Sequence, residues 1–383
     1  MIYVADVSST GSQHEQFNSA FIHILNSTTG QNSTTFFTDE THGAVVQKNG
    51  AGLKLENITI YNKRGGIKEF VRAYFQYKNL VEILKKVRKE NNPGTLYVLL
   101  IHPFAHFLFK QFGSAGPDIA FVLHGELESI KFNKHFVNKI WGWFLKKALT
   151  KKRADVKYII LGESIYRNLV KVLPVFLSQP SIILDHPYPF TTNPAKSKVS
   201  SKIVFSSFGV ATVSKNTQYI FDVALKIQQL NLLHLCKFNI IGQVYKNMTP
   251  YLNDAVDYKK NFAQFTRVEL NPLMSESDFA VFYYDNANYS LCASGAFWDA
   301  INAEVPLLYV HNDYFDHYAA IVGDIGVAFD NPIELNEFII SIVKNSNIGN
   351  EYSHFLENIR SLKYDYMKRE NLLKQLHPLA REV

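Results

Sequence analysis

Two mainly parallel, doubly wound α/β halves are predicted by three observations on this 383-residue chain. Short apolar runs alternate with helical patterns along its length, as crossover connections on a parallel sheet require. A polar stretch at residues 191–201, holding Asn193-Pro194 and three serines, divides that alternation into two series. The hydrophobic content of 47% is enough, at this length, for two cores.

In order, residues 2–5 read as a strand, followed by the polar turn Ser8-Ser9-Thr10-Gly11-Ser12 and a helix with Phe17, Phe21, Ile22 and Leu25 on one face. Residues 35–37 and 58–61 read as further strands. Residues 67–89 form a strongly periodic helix carrying Phe70, Tyr74, Tyr77, Leu80, Ile83, Leu84 and Val87, ended by Asn91-Asn92-Pro93-Gly94. Residues 96–101 and 119–123 are apolar strands, the second leading into His124-Gly125-Glu126. Residues 158–161 lead similarly into Gly162-Glu163-Ser164 and a helix, and residues 181–184 close the series. The second series runs through a strand at 203–206, a helix at 217–229, a strand at 238–241 ending in Gly242, and a strand at 279–284. A helix from 295, a strand at 307–310, a helix near 333–344 and a long helical tail at 352–376 complete it.

Composition narrows the possible partners. Charged residues are 19%, and Phe and Tyr are numerous at 29 and 21. The net charge of +6 favours anionic partners without naming one. Cys236 and Cys292 lie in apolar stretches, as reduced, buried thiols of a cytosolic protein would. No stretch is long and apolar enough to cross a bilayer, and the first residues read as a strand rather than a secretory leader. The Asn-x-Ser/Thr sequences at Asn26, Asn32, Asn57 and Asn247 therefore carry no glycosylation signal. There is no internal repeat.

Residues 278–310 are the most informative stretch. A buried aromatic strand reaching Tyr284 is followed by a polar loop with Asp285, Asn286 and Asn288, then by Ser294-Gly295-Ala296 opening a helix that Pro306 stops. A small-residue turn at a helix N-terminus in a βαβ unit can hold an anion, since N–H groups and dipole point at it. Asp299, one turn inside, is placed to accept two ribose hydroxyls. The ordinary alternatives are a Ser294 N-cap and a solvated first-turn Asp299.

This layout, small-Gly-x-x-x-acid-Ala followed by Pro306 and an apolar strand, resembles the sugar-nucleotide segment of retaining GT-B glycosyltransferases. The usual pattern has two Glu residues. Asp299 takes the place of the second, Leu291 stands where the first would be, and Glu304 replaces the Gly two before the Pro. The resemblance implies a GT-B fold: two Rossmann-like domains with an interdomain cleft and a C-terminal helix. Its acceptor domain would be 1–190, its linker 191–201, its donor domain 202–350 and its tail 351–383, a segment that in the family often crosses back to the first domain.

The resemblance assigns further residues. Gly209 begins a loop bearing Lys215 at the place where the family sets a Lys against the donor pyrophosphate, while the accompanying Arg is replaced by Val210. Gly242 and Val244 match the strand end whose backbone reads the base. With Tyr284, Ser294, Gly295, Ala296 and Asp299 these make the donor set. His124 and Glu126 match the strand-end catalytic region, with Glu128 a further carboxylate for acceptor hydroxyls. Gly11, Ser12 and His14 match the acceptor-side loop, and Glu163 is a weaker candidate of that kind. Each has an ordinary counterpart: a solvated Lys, a strand-end Gly, a structural His, a capping turn. The family works without a metal or cofactor, and here neither an Asp-x-Asp pair nor clustered His/Cys ligand spacing occurs.

Residues 131–153 carry eight basic residues and no acid, interleaved with Phe132, Phe136, Trp141, Trp143 and Phe144. Such a helix suits an anionic membrane surface, or packs its aromatics on the sheet with its lysines solvated. No nucleic-acid motif accompanies the charge. The expected function is therefore sugar transfer from a nucleotide donor to a hydroxyl of a glycan or lipid-linked acceptor in surface polysaccharide synthesis. It would act in the cytoplasm, with the inner face of the membrane as a peripheral site. A sugar-nucleotide epimerase of the same fold and a non-catalytic nucleotide-sugar-binding scaffold are the alternatives.

Overall fold

Seven parallel strands form one sheet, in the spatial order β3 (Lys54–Asn57), β2 (Thr34–Thr38), β1 (Ile2–Asp6), β4 (Leu96–Leu100), β5 (Ile119–Leu123), β6 (Val156–Ile160), β7 (Ser181–Ile183). Five form a second, in the order β12 (Gly326–Phe329), β11 (Leu307–Val310), β10 (Phe279–Phe282), β8 (Ile203–Phe208), β9 (Cys236–Ile241). The computed structural model describes every residue except 1, 30–33, 51, 91–93, 115, 132–135, 193–201, 346–350 and 381–383. The expectations resting on Asn32, Asn91 to Pro93, Phe132, Lys134 and residues 193–201 lie outside the described residues. The chain divides into two compact units: Met1–Pro189 with Leu291–Ala293 and Met367–Val383, and Phe190–Ser290 with Ser294–Tyr366.

The first unit holds β1 to β7. The central β5, Ile-Ala-Phe-Val-Leu, is buried throughout, as a parallel strand covered on both faces must be. The helix Glu15–Thr29 turns Phe17, Phe21, Ile22 and Leu25 inward, each at most 3% exposed. In the helix Ile67–Val87 the inner face includes Leu80, Ile83, Leu84 and Val87, but also Ala73 and Gln76, whereas Tyr74 faces outward.

The second unit holds β8 to β12. Phe238, Phe205 and Phe279 stack in turn across β9, β8 and β10, with ring centroids 5.4 and 5.7 Å apart. This aromatic ladder continues the side-chain pairing that holds neighbouring strands in register.

Three expectations are corrected. Residues 58–61 are not a strand. The edge strand is the polar Lys54–Asn57 just before them, and only the Ile58 N–H, donating to the Thr38 carbonyl, extends its pairing. An edge strand needs no apolar run, so the apolar signal fell one segment late. The tail is not one helix: Tyr352–Arg360 leads through a π-helical turn at Ser361–Tyr366 to a separate helix, Arg369–Ala380, and the division between units falls at Met367. The basic helix spans Phe136–Thr150, so Lys151 to Arg153 lie beyond it. The helices Glu40–Lys48, Pro103–Phe112, Arg267–Ser275 and Asp313–Val322, and the short edge strand β12, complete the alternation.

Strand order fixes where ligands can sit. The first sheet reverses direction of winding between β1 and β4, and the second between β8 and β10. Crevices outside the carboxyl ends of such strand pairs are the ligand sites of open α/β sheets.

Candidate functional site

At the switch point of the second unit, the loop after β8 and the loop after β10 are tied together. Asn216, in left-handed conformation at φ 55°, donates from Nδ2 to the Tyr283 carbonyl (3.2 Å) and to Asp285 Oδ2 (3.1 Å). Thr212 accepts the Ser214 N–H and helps shape the turn that carries Lys215. Lys215 Nζ donates to the Tyr284 hydroxyl at 3.2 Å and lies 4.7 and 5.4 Å from the ring centres of Tyr284 and Tyr289. Two aromatic faces thus orient the ammonium.

Two glycines permit the close approach of these loops. Gly209 has φ +84°, and a Cβ there would lie 2.9 Å from the Ala296 Cβ, 3.7 Å from Lys215 Nζ and 3.8 Å from the Tyr284 hydroxyl. These four predicted donor residues therefore converge on one point. A Cβ on Gly242 would lie 1.9 Å from the Gly209 carbonyl oxygen, so only glycine permits that approach. Val244 is buried and bridges Ala211, whose N–H and carbonyl bond Gln243 and Tyr245. Parallel pairing of this kind directs Val244's own amide and carbonyl to the opposite side of the strand.

Ser294 is the N-cap of the helix Gly295–Asn302, its hydroxyl accepting the Phe297 N–H at 3.2 Å. The cap does not displace the anion reading, because the N–H groups of Gly295 and Ala296 precede the intrahelical ladder. The space where a Gly295 side chain would project is open. Phe297, Ala300 and Ile301 anchor the helix from below, each fully buried. Asp299 is not simply solvated: Arg267 Nη1 donates to its Oδ1 at 2.6 Å. Sequence reasoning missed Arg267, which follows the capping residue Thr266 of a helix it had not identified.

In the first unit, the loop after β1 rests on a buried polar group. Asp6 Oδ1 accepts the N–H groups of Ser8 and Ser9, and Asn18 Nδ2 lies 2.8 Å from both Asp6 Oδ2 and His42 Nε2. His42 Nδ1 lies 2.7 Å from the Gly11 carbonyl. With Asn18 donating to Nε2, the proton sits on Nδ1 and donates to Gly11. Gly11 (φ 54°) and His14 (φ 55°) are both left-handed, and Ser12 and His14 are exposed. None of Asp6, Asn18 or His42 was singled out in the sequence, although an acid closing a strand is a usable signal.

His14 and His124 are edge-on at 5.5 Å, and Phe17 contacts both His124 (4.5 Å) and His186 (4.9 Å). Burial, then the neighbouring His14 and His186, holds His124 well below the ordinary histidine pKa, and burial takes His186 down to about 4. His124 is therefore a neutral hydrogen-bonding group at pH 7. Its backbone N–H, not its ring, donates to both carboxylate oxygens of Glu126 at 3.0 Å. Glu126 is only partly exposed, and burial pushes its carboxyl up to about 7. Glu128 Oε1 accepts the Leu291 N–H at 2.5 Å, and Cys292 packs against Gly125. Glu163 opens its helix as an acid with Arg167 at 3.9 Å, the disposition of an ordinary first-turn carboxylate.

No family model matches this chain, and no curated protein matches it in sequence. Solved structures do match its fold. HepE of Anabaena, in complex with UDP and glucose, superposes with a TM-score of 0.66 at 9% identity over 100% of both chains. WaaG, a glycosyltransferase involved in lipopolysaccharide biosynthesis, gives 0.61 at 13% over 98% of this chain and 99% of its own. A TarM variant of S. aureus, in complex with fondaparinux, alpha-GlcNAc-glycerol and UDP, gives 0.66 at 12% over 99% of each. The fold is GT-B. In the GT-B arrangement of this chain, the second Rossmann-like unit carries the Gly209–Lys215–Tyr284–Ala296 crevice and the first carries the histidine cluster with Glu126.

Proposed function

We propose that the protein is a glycosyltransferase moving a sugar from a nucleotide donor to a hydroxyl of a glycan or lipid-linked acceptor. The observation that carries this reading is the convergence of Gly209, Lys215, Tyr284 and Ala296 at the β8/β10 switch point. Lys215 and the N–H groups of Gly295 and Ala296 supply positive potential for a departing nucleoside diphosphate, where charge develops in the transition state. Gly242 and Val244 face the base, and Asp299, oriented by Arg267, takes the ribose. In the first unit Glu126, with a pKa of about 7, is the candidate base for an acceptor hydroxyl. His124 is a neutral hydrogen-bonding partner for a sugar, and Gly11, Ser12 and His14 form the loop on the acceptor side.

Surface polysaccharide assembly at the inner face of a membrane is the setting we favour. Among the described residues no helix is long and apolar enough to cross a membrane. The helix Phe136–Thr150 instead exposes Phe136, Val137 and Trp143 beside Lys139 and Lys147, while Trp141 and Phe144 pack inward on Phe70 and Phe104. Apolar side chains ringed by lysines match an anionic lipid surface. Arg153 does not join this face, since its guanidinium is held by Asp155 and by the carbonyls of Phe109 and Gly113.

The test is calorimetry with UDP, GDP and their sugars, followed by a donor-hydrolysis assay. Nucleoside diphosphate binding with slow sugar release supports transfer. Sugar epimerisation would establish the epimerase reading instead, binding without turnover the scaffold, and no nucleotide binding would remove all three.

A further inference from the structure

A cavity of about 340 Å³ opens in the first unit beside the carboxyl ends of β4 and β5, and among its walls are Glu69, Arg72, Glu126, Glu128, Asn138 and Trp141. Its volume falls at the low end of the range of about 300–1,000 Å³ typical of small-molecule sites. The polar groups are fixed in place. Glu69 accepts the Gly65 N–H at 3.0 Å and the Arg72 Nε and Nη2 at 3.0 and 2.7 Å. Burial opposes its ionisation, but these bonds outweigh burial and keep its pKa below the ordinary value. His102 Nδ1 accepts the Phe104 N–H at 3.1 Å, which leaves the ring proton on Nε2. Burial, then Arg72, lowers its pKa to about 4, so it is a neutral donor. The Trp141 indole packs edge-on to that ring at 4.6 Å.

The charges here do not sum to an anion site. Arg72 is matched by Glu69, the histidine is neutral, and Glu126 and Glu128 add carboxyls. A ligand bearing a phosphate or carboxylate would be desolvated against them at a cost. Rigid acceptors and donors beside an indole suit a different chemistry: a ring with vicinal hydroxyls around its rim and C–H groups on its faces.

We propose that this cavity binds an uncharged pyranose ring of the acceptor, against Trp141 and between Glu69, Arg72 and Glu126. The inference rests on the glycosyltransferase reading above and narrows its acceptor to a neutral sugar. The test uses the full chain and monitors tryptophan fluorescence and saturation-transfer NMR. The probes are the methyl pyranosides of glucose, galactose and N-acetylglucosamine, with methyl glucuronide as the charged counterpart.

At least one neutral glycoside should bind saturably and the glucuronide about tenfold more weakly, and Trp141→Phe should weaken the neutral glycoside about tenfold without lowering the melting temperature. Absence of saturable binding by any neutral glycoside, equal binding of the glucuronide, or unchanged affinity in Trp141→Phe overturns the proposal. Should that substitution unfold the protein, protection of the Trp141 indole resonance by the bound glycoside in the wild type decides instead: protection supports the site and its absence overturns it. Calorimetry with UDP on the same sample separates the two readings. UDP binding without sugar binding removes only this cavity's role, whereas sugar binding without nucleotide binding removes the transferase reading.

Discussion

Arg267 and Asp299, 32 residues apart, form an ion pair with Nη1 and Oδ1 at 2.6 Å, the aspartate side chain 14% exposed. In the proposed donor site the Asp299 carboxylate accepts the ribose hydroxyls, with Arg267 as its positioning residue. Asp299→Asn should lower affinity for a ribonucleoside diphosphate by about 1.5–3 kcal/mol, the worth of a hydrogen bond to a charged group. A donor lacking both ribose hydroxyls should bind wild type and variant alike. Calorimetric losses that are the same with and without the hydroxyls would show that Asp299 serves only to hold Arg267.

Lys215 should discriminate phosphate from nucleoside. Its ammonium sits over Tyr284, 3.7 Å from where a Gly209 Cβ would lie, and so borders the glycine turn proposed to receive the pyrophosphate. Lys215→Ala should therefore weaken UDP by about 1.5–3 kcal/mol and uridine hardly at all. Equal losses for both ligands in calorimetry would place the phosphates elsewhere.

The residues that meet at the β8/β10 switch point were legible because glycine, small residues and a lysine at strand ends leave local marks in sequence. Gly209 and Gly242 are glycine for reasons of contact with each other, which only the fold reveals, but their positions after apolar runs were visible. The polar support was not. His42 belongs to an unrecognised helix, Arg267 and Trp141 meet their partners through tertiary contacts, and Gln76 is a buried polar residue on an otherwise apolar stripe. Periodicity registers burial of apolar groups, whereas satisfaction of buried polar groups is decided by neighbours distant in sequence.

The exposed basic face should bind anionic vesicles. Each lysine near such a surface contributes roughly 1 kcal/mol, screened by salt. Replacing Lys139, Lys147, Lys151 and Lys152 by Gln should strongly reduce co-sedimentation with phosphatidylserine-containing vesicles, and Trp143→Ser should weaken it further. Sedimentation that is indifferent to both changes would rule the face out.

Glu126 should impose a pH dependence. With its folded-state pKa raised to about 7 from an ordinary 4.5, the folded chain holds a proton that the unfolded chain has released between those values. Its contribution to stability is therefore lost as pH rises through that window. Transfer activity should move the other way, rising as the carboxylate forms, with an apparent pKa near 7. Glu126→Gln should remove both trends. A transfer rate whose pH profile survives that substitution would exclude Glu126 as the base.

Glu304 stands where the related pattern has glycine, and its backbone explains why: φ is +54°, in the left-handed region that glycine enters without strain. The glutamate is retained by what its side chain does. It accepts from Arg360 Nε at 2.8 Å, Lys363 Nζ at 3.1 Å and the Tyr364 hydroxyl at 2.9 Å, and Lys363, whose side chain is wholly buried, also bonds the Asn302 carbonyl. The end of the helix that opens at Gly295 is thereby pinned to the π-helical turn. Burial opposes ionisation of Glu304, yet Arg360, Lys363 and Tyr364 together keep its pKa below the ordinary value. Glu304→Gly should relieve about 1 kcal/mol of backbone strain. Stranding the buried ammonium of Lys363 costs about 3–5 kcal/mol, so the substitution should destabilise. Lys363→Met placed on top of Glu304→Gly should recover most of the loss, because no buried charge is left unpaired. Urea midpoints of the two variants decide the matter: if Glu304→Gly alone raises the midpoint, strain dominates at this position and the pinning contacts contribute little.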